Sequence, residues 1–262
     1  MKYDIRTEES SREFVKTFLE IDDKEFENIL EEYEKDADFF ETNYYINKIK
    51  SKDINGLKIY GYHFTTNPDN CKAIRSEGIK NLQKVLKSKN EFTNLLKRYH
   101  IRFDVENSKM YYYDKIIDIY YDKKSHGARN DRSYGVARKI YYDYSVNGFF
   151  YGGNKYIKDT EILRYPEVLK DIEQCIGTDL EEVKKIWSNI CKTYRISFWI
   201  NLSQVNCKAT FEDDKLSLKM KKKMLNKAMR RIEDWNSEEI IYIKDNEQIY
   251  NNQIISIETI QR

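Results

Sequence analysis

The stretch LKIYGYHFT, residues 57–65, decides most of what the sequence indicates about the fold. Its β-branched and aromatic residues predict a strand. Asn67 follows and can cap a helix that begins at Pro68 and ends at Gly78, because these residue types favour those three positions. The sequence therefore predicts a strand, a tight turn and a short helix. His63 lies near the end of this strand, where a side chain and backbone amides can converge on a ligand.

The fifty residues before this strand predict packed helices. Ser10 and Glu13 have the spacing of a capping box. Apolar residues then recur at helical intervals in two segments. They are Phe14, Val15, Phe18 and Leu19 in the first, and Phe26, Ile29, Leu30 and Tyr33 in the second. A turn signal at residues 53–56 ends this part. We therefore expect an N-terminal helical segment at residues 1–52 and one further domain at residues 53–262.

The residues after this strand mix helical and strand patterns, so the predicted class is α+β. The predicted elements are a hairpin at 110–122, a helix opening with the capping-box spacing of Thr178 and Glu181, an alternating strand at 194–202, and two last strands at 239–244 and 253–260, paired around a polar turn. No internal repeat is evident.

Composition excludes several classes of protein. The 262 residues include 22 Tyr and 12 Phe but only 9 Gly and 2 Pro, which excludes collagen-like and low-complexity chains. The chain lacks a P-loop, a GxGxxG motif, an HExxH motif and a GxSxG motif, which argues against the enzyme classes that use them. The four cysteines form no CxxC pair, so we expect free thiols and no metal site.

The charged residues of the chain are unevenly distributed, although their total is nearly balanced. The formal net charge is +2, but eight of the seventeen residues from Lys215 to Arg231 are basic and none is acidic. On a helix, Leu216, Met220, Leu225 and Met229 would face the core and leave a cationic outer face. No stretch is long and apolar enough for a membrane span, and the first residues lack the apolar core of a signal peptide. We expect a cytoplasmic protein with no membrane partner.

Three motifs together resemble a known family. The first is YHFTT at residues 62–66, followed by a helix ending in Glu77-Gly78-Ile79. The second is NGFFY at residues 147–151, and the third is EEIIYI at residues 238–243 with a strand after it. In this order they resemble the motifs of ADP-ribosyltransferases of the His-Tyr-Glu kind, the group that includes diphtheria toxin and the poly-ADP-ribose polymerases. The resemblance covers roughly residues 57–260.

The resemblance implies two small antiparallel sheets around a cleft that binds NAD as a co-substrate without a glycine-rich loop. By the family's pattern, His63 would bond the adenosine ribose, the backbone of Phe64 would meet the nicotinamide carboxamide, and Thr65 would complete the first motif. An aromatic ring must stack on nicotinamide. Phe149, Phe150, Tyr151 and Tyr156 compete for this role, with Phe150 and Tyr151 as the assigned candidates.

A carboxylate is needed by the reaction, because breaking the nicotinamide–ribose bond generates an oxocarbenium-like centre. Glu239 is the catalytic candidate together with His63. Glu238 is the alternate, since neighbouring strand residues point to opposite faces. The basic residues Arg132, Arg138 and Lys139 could contact the NAD pyrophosphate.

The expected function is transfer of ADP-ribose from NAD to a macromolecular acceptor, a protein or a nucleic acid, by an effector of bacterial or phage conflict. If this effector is a toxin, a regulatory or antitoxin partner is expected to bind it. One alternative is an NAD glycohydrolase, in which water replaces the acceptor. Another is a non-catalytic module that binds nucleic acid or protein through the basic residues 215–231.

Overall fold

The computed structural model describes residues 1–33, 39–41, 43–128, 131–151, 161–213, 215–233 and 239–261. It confirms the α+β class, with antiparallel sheets. The helices are α1 Glu8–Leu19, α2 Asp23–Tyr33, α3 Asn43–Ser51, α4 Lys72–Glu77, α5 Leu82–Lys87, α6 Glu91–Arg98, α7 Tyr134–Tyr141, α8 Val168–Ile176, α9 Glu181–Ile190, α10 Cys207–Phe211 and α11 Leu218–Ile232. The strands are β1 Lys2–Tyr3, β2 Lys58–Asn67, β3 Ile101–Asp104, β4 Lys109–Tyr112, β5 Lys115–Asp118, β6 Tyr121–Asp122, β7 Gly127–Ala128, β8 Asn147–Phe149, β9 Lys192–Asn201, β10 Ile240–Tyr242 and β11 Ile254–Ile260.

The chain divides into two compact units. The first comprises Met1–His63, Asn147–Gly152 and Ser197–Ile243, and the second comprises Phe64–Val146, Gly153–Ile196 and Lys244–Arg262. All of residues 1–52 lie in the first unit, together with β8, β10 and α11. The expected division into residues 1–52 and 53–262 stays a prediction.

The first unit contains β1, β8 and β10 with residues 58–63 of β2 and 197–201 of β9, in the strand order β10-β8-β2-β9 and with β1 parallel to β2. Strand β8 is antiparallel to both neighbours, pairing Gly148 with Ile241 and Phe149 with Tyr62. Helices α1 and α11 pack against each other. Their buried faces are Phe14, Val15, Phe18 and Leu19 on α1, and Met220, Met224, Leu225, Ala228 and Met229 on α11.

Two details of the predicted helices in the first unit are wrong. Helix α1 is capped by Thr7, whose capping box is formed with Ser10, so the helix begins earlier than the Ser10 and Glu13 spacing indicates. Leu216 precedes α11 and is exposed, whereas the other three predicted core residues of the basic segment are buried.

The second unit contains the antiparallel sheet β3-β4-β5, which confirms the predicted hairpin through pairs such as Met110 with Ile117. Its core gathers Leu95, Ile101, Val136, Ile140, Leu169, Ile172 and Trp187. Asn67 does form a cap-like turn, since its side chain accepts the N–H groups of Asp69 and Cys71. The helix nevertheless begins at Lys72 and not at Pro68, because Cys71 adopts a left-handed φ of 60°.

The predicted pairing of the last two strands is wrong. Strand β10 pairs with β8, and β11 lies beside β9. The four cysteines are free, as expected. Among the described residues, no helix combines the length and the apolar character that crossing a membrane requires.

Candidate functional site

Two glycines shape the ladder of β2, β8 and β10. A Cβ at Gly61 would lie 3.0 Å from the carbonyl oxygen of Phe149 and 3.2 Å from the ring of Phe198. A Cβ at Gly148 would lie only 2.6 Å from the same ring. Both positions therefore require glycine, because the side chains of Phe198 and Ile241 lie directly over the backbone there.

His63 lies half-buried on β2. Its Nδ1 is 2.8 Å from the carbonyl oxygen of Asn147. Burial lowers the pKa of His63, and this effect exceeds the opposing effect of the bond to Asn147. The imidazole is therefore neutral near pH 7. Since a carbonyl only accepts hydrogen bonds, Nδ1 carries the proton and Nε2 is left as an acceptor.

Glu239 lies immediately before β10. Its carbonyl oxygen accepts the N–H of Phe150 at 2.9 Å, which continues the β8–β10 ladder by one residue. Its carboxylate forms an ion pair with the ammonium group of Lys227 on α11. The two side chains are only 12% and 14% exposed, so this pair is largely removed from water. Glu238 lies outside the described residues, and the choice between the two glutamates stays open.

Two tyrosines surround this ion pair. The hydroxyl of Tyr151 donates to the carbonyl oxygen of Lys227 at 3.0 Å. Arg231 lies over the Tyr151 ring, 5.3 Å from its centroid. The hydroxyl of Tyr3 donates to the carbonyl oxygen of Met224 at 3.1 Å. Burial raises the pKa of Tyr3 and of Tyr151, and the negative charge of Glu239 raises both further.

The register brings His63 and Glu239 to one face of the ladder. The pairs Tyr62–Phe149 and Phe149–Ile240 place Gly61, Phe150 and Glu239 in one row. His63 lies in the next row on that side, because side chains alternate along a strand. Strand spacing and rise give a Cα separation of about 12 Å. The backbone between them is covered by Phe198 and Ile241.

The aromatic candidates have different surroundings. Phe150 is fully buried, with ring contacts to Tyr3 at 5.5 Å and to Phe211 at 6.1 Å, so its side chain belongs to the core of the first unit. Tyr151 is half-buried beside the Lys227–Glu239 pair, and Phe149 is half-buried on the opposite face of the ladder. Tyr156 lies outside the described residues.

The two remaining predicted residues, Phe64 and Thr65, belong to the second unit. Phe64 is buried. The hydroxyl of Thr65 donates to the carbonyl oxygen of Thr66 at 3.5 Å. Its neighbour Thr66 accepts the indole N–H of Trp187 at 2.8 Å, which fixes the end of β2 to the core of that unit.

The basic segment is not the free cationic face that the sequence indicates. Lys221 is buried and donates to the carbonyl oxygen of Lys50, and burial lowers its pKa. Lys223 forms an ion pair with Glu212, and Lys227 and Arg231 make the contacts given above. Sequence reasoning missed these partnerships. The spacing of residues 223, 227 and 231 was the available signal, because residues four apart share one helix face.

One acidic cluster outside the ladder is paired with a lysine side chain. Glu173, Asp179 and Glu181 have carboxylate oxygens close enough together to hold a metal ion. The ammonium group of Lys184 lies 2.7 Å from Glu173 and 2.8 Å from Glu181. Lys184 therefore occupies the space between Glu173 and Glu181 and offsets part of the negative charge, and the cluster adds no chemistry to the candidate site.

Comparison with protein-family models, with curated proteins and with solved structures finds no match for this chain.

Proposed function

We propose that the chain is an NAD-dependent ADP-ribosyltransferase that modifies a macromolecular acceptor, and that the β2–β8–β10 ladder carries its catalytic residues. The observation behind the proposal is the register that brings His63 and Glu239 to one face. The order of the three motifs along the chain supports it. The antiparallel sheets are compatible with the split sheets of that family.

Glu239 is the catalytic residue in this proposal. Its carboxylate is largely shielded from water, where its interaction with developing positive charge on a ribose is stronger than in solvent. Tyr3 and Tyr151 stay protonated beside it, because their pKa values are raised. Glu239 is thus the nearby acidic side chain that supplies negative charge.

His63 is the ribose-binding residue. Its neutral ring presents Nε2 as an acceptor for a hydroxyl group, while Nδ1 is occupied by the carbonyl oxygen of Asn147. A neutral imidazole adds no positive charge that would oppose an oxocarbenium-like centre. A half-buried position also limits competition from water for that bond.

Binding of NAD at this site requires side chains of the first unit to move. Lys227 must release at least one oxygen of Glu239, because the ammonium group otherwise holds the carboxylate. The side chains of Phe198 and Ile241 must also move, because they cover the backbone between His63 and Glu239. NAD binding should therefore change the environment of α11, β9 and β10.

Transfer of label from ADP-ribose-labelled NAD to macromolecules in a cell lysate tests the proposal. We expect labelled product with the native chain and a loss of about 100-fold or more with Glu239→Gln. The matched control, Glu9→Gln, changes an exposed glutamate on α1 and should keep full activity. A chain that neither binds NAD nor labels any acceptor would overturn the proposal. Glu239-dependent release of free ADP-ribose without lysate would instead indicate the NAD glycohydrolase.

A further inference from the structure

An exposed row of side chains runs along α7 in the second unit. Tyr134, Arg138 and Tyr142 are spaced four residues apart, so they lie on one face of the helix. Tyr142 follows the last helical residue, and its N–H still bonds to the carbonyl oxygen of Arg138 at 2.9 Å, which keeps it in this row. The tyrosines are 40% and 46% exposed, and Arg138 is exposed as well. We name these three residues the α7 ridge.

The β6–β7 hairpin supports the ridge from beneath. Tyr121 is buried, and its ring lies 6.1 Å from that of Tyr134 and 5.7 Å from that of Tyr142. His126, at the tip of the hairpin, meets Tyr142 edge-on at 5.4 Å. The exposed rings are therefore held by aromatic contacts while parts of them remain open to solvent.

The segment that carries the ridge is rich in basic residues. Residues 121–142 include six Lys or Arg and two Asp, although the whole chain has a net charge of only +2. Lys123, Lys124 and Arg132 are exposed beside the ridge. Arg138 interacts with the Asp171 carboxylate at longer range, since it lowers the pKa of that group against the raising effect of burial. This differs from α11, whose cations are largely engaged inside the first unit.

Some nearby acidic side chains are engaged elsewhere, whereas the half-buried carboxylate of Asp171 lies against Gly135 of α7 and interacts with Lys139 and Arg138. Asp122 accepts hydrogen bonds from the backbone N–H of Lys124 and the hydroxyl of Ser125. Asp143 lies 3.1 Å from Lys139, which also pairs with Glu167. Asp245 faces Lys123 at 3.7 Å, an exposed pair that salt and water weaken. Asp131 is exposed at the start of this segment.

We propose that the α7 ridge and its basic surroundings bind single-stranded nucleic acid. The Cα atoms of Tyr134 and Tyr142 lie about 12 Å apart along the helix, and the exposed part of each ring can stack on an unpaired base. Arg138 lies between them and can contact a phosphate or stack on a base. The surrounding lysines and arginines attract the backbone. A duplex offers only its phosphates, because its base faces are covered. This surface needs no NAD and stands independently of the proposed transferase activity.

Fluorescence anisotropy with the full chain tests this without NAD. The probes are labelled single strands of about 20 thymidine or uridine nucleotides and a hairpin duplex of matched length. We expect single strands to bind more tightly than the duplex, with an affinity that falls as salt rises. Tyr134→Ala and Tyr142→Ala should each weaken single-strand binding about fivefold or more. Arg138→Gln should reduce the slope of log affinity against log salt by about 0.7.

Matched controls come from the same unit. Tyr113→Ala removes an exposed tyrosine from another turn, and Arg98→Gln removes an exposed arginine from α6. Both should leave binding unchanged. Circular dichroism should show that all variants are folded, since the altered side chains are exposed. The proposal is overturned if no single strand binds at low salt, or if the ridge variants bind as tightly as the controls. Binding that depends on the basic residues 215–231 and not on the ridge would also overturn it.

Discussion

At the scale of single residues, Gly148 lets the ring of Phe198 lie directly on the ladder. Gly148→Ala would place a methyl group 2.6 Å from that ring, which must shift. We predict a loss of about 1–3 kcal/mol in the free energy of unfolding, measured by urea denaturation. Gly127→Ala is the control, since its new methyl group meets only Ser125, at 3.5 Å, and should have little effect. Equal stability of the two variants would show that Phe198 does not cover Gly148.

The Lys227–Glu239 pair gives a second prediction at this scale. Lys227→Met removes the cation and leaves a largely buried carboxylate without it, which should cost about 3 kcal/mol of stability. Combining it with Glu239→Gln should recover part of that loss, because no charge then remains unpaired. A double-mutant cycle by denaturation measures the coupling. Strictly additive effects would contradict the ion pair.

His63 gives a pH dependence whose direction follows from its lowered pKa. The unfolded state binds a proton more readily than the folded state does, so protonation favours unfolding. The contribution of His63 is fully present above about pH 6.5 and is lost as the pH falls through its folded pKa. Denaturation between pH 7.5 and pH 5 should show a smaller loss of stability in His63→Gln than in the native chain. His126→Gln, at an exposed site, is the matched control, and identical profiles for His63→Gln and His126→Gln would exclude this role of His63.

At the scale of elements, Asn81 links a helix start to a distant loop within the second unit. Its side chain accepts the N–H of Lys84 at 2.9 Å and donates to the carbonyl oxygen of Asp245 at 3.2 Å. Asn81→Ala should cost about 2 kcal/mol in thermal or urea unfolding, because both bonds are lost. Asn81→Ser keeps a capping oxygen and should lose less. A serine variant as unstable as the alanine variant would mean that the cap contributes little.

Local patterns predicted most elements, because they depend on neighbours in sequence. The buried faces of α1 and α11 follow from helical periodicity, and β4 and β5 follow from their alternation and turn. The errors lie where backbone geometry or distant pairing decides. Cys71 adopts a left-handed conformation, so α4 begins only after it. At the start of α9, the carboxylate of Asp179 accepts the N–H of Glu181, whereas the sequence predicts Thr178 as the capping residue. The partner of β10 is β8, some ninety residues away, and no local pattern encodes that choice.

The candidate site could be predicted only in part for the same reason. The sequence singled out His63 and Glu239, and the register puts them on one face. The sequence did not reveal that Lys227 forms an ion pair with Glu239 or that Phe198 and Ile241 lie over the ladder, because these contacts join distant segments of the chain. It also favoured α11 as a nucleic-acid surface, whereas exposure and charge favour α7.

At the scale of the whole molecule, the two proposals assign different tasks to the two units. The first unit carries the proposed catalytic residues, and the second carries the α7 ridge. The nucleic-acid binding proposal can hold even if no NAD chemistry occurs, because its test uses no NAD. If both hold, single-stranded nucleic acid becomes the acceptor class to examine first.

Release of nicotinamide from NAD, followed chromatographically with the purified chain and an acceptor mixture, is the most direct measurement of the proposed transferase activity. We expect release that falls about 100-fold or more in Glu239→Gln and also falls in His63→Ala, while Glu9→Gln keeps the native rate. All four proteins should be folded by circular dichroism. Absence of release from the native chain, or equal release by Glu239→Gln, would contradict the proposed activity of the β2–β8–β10 ladder.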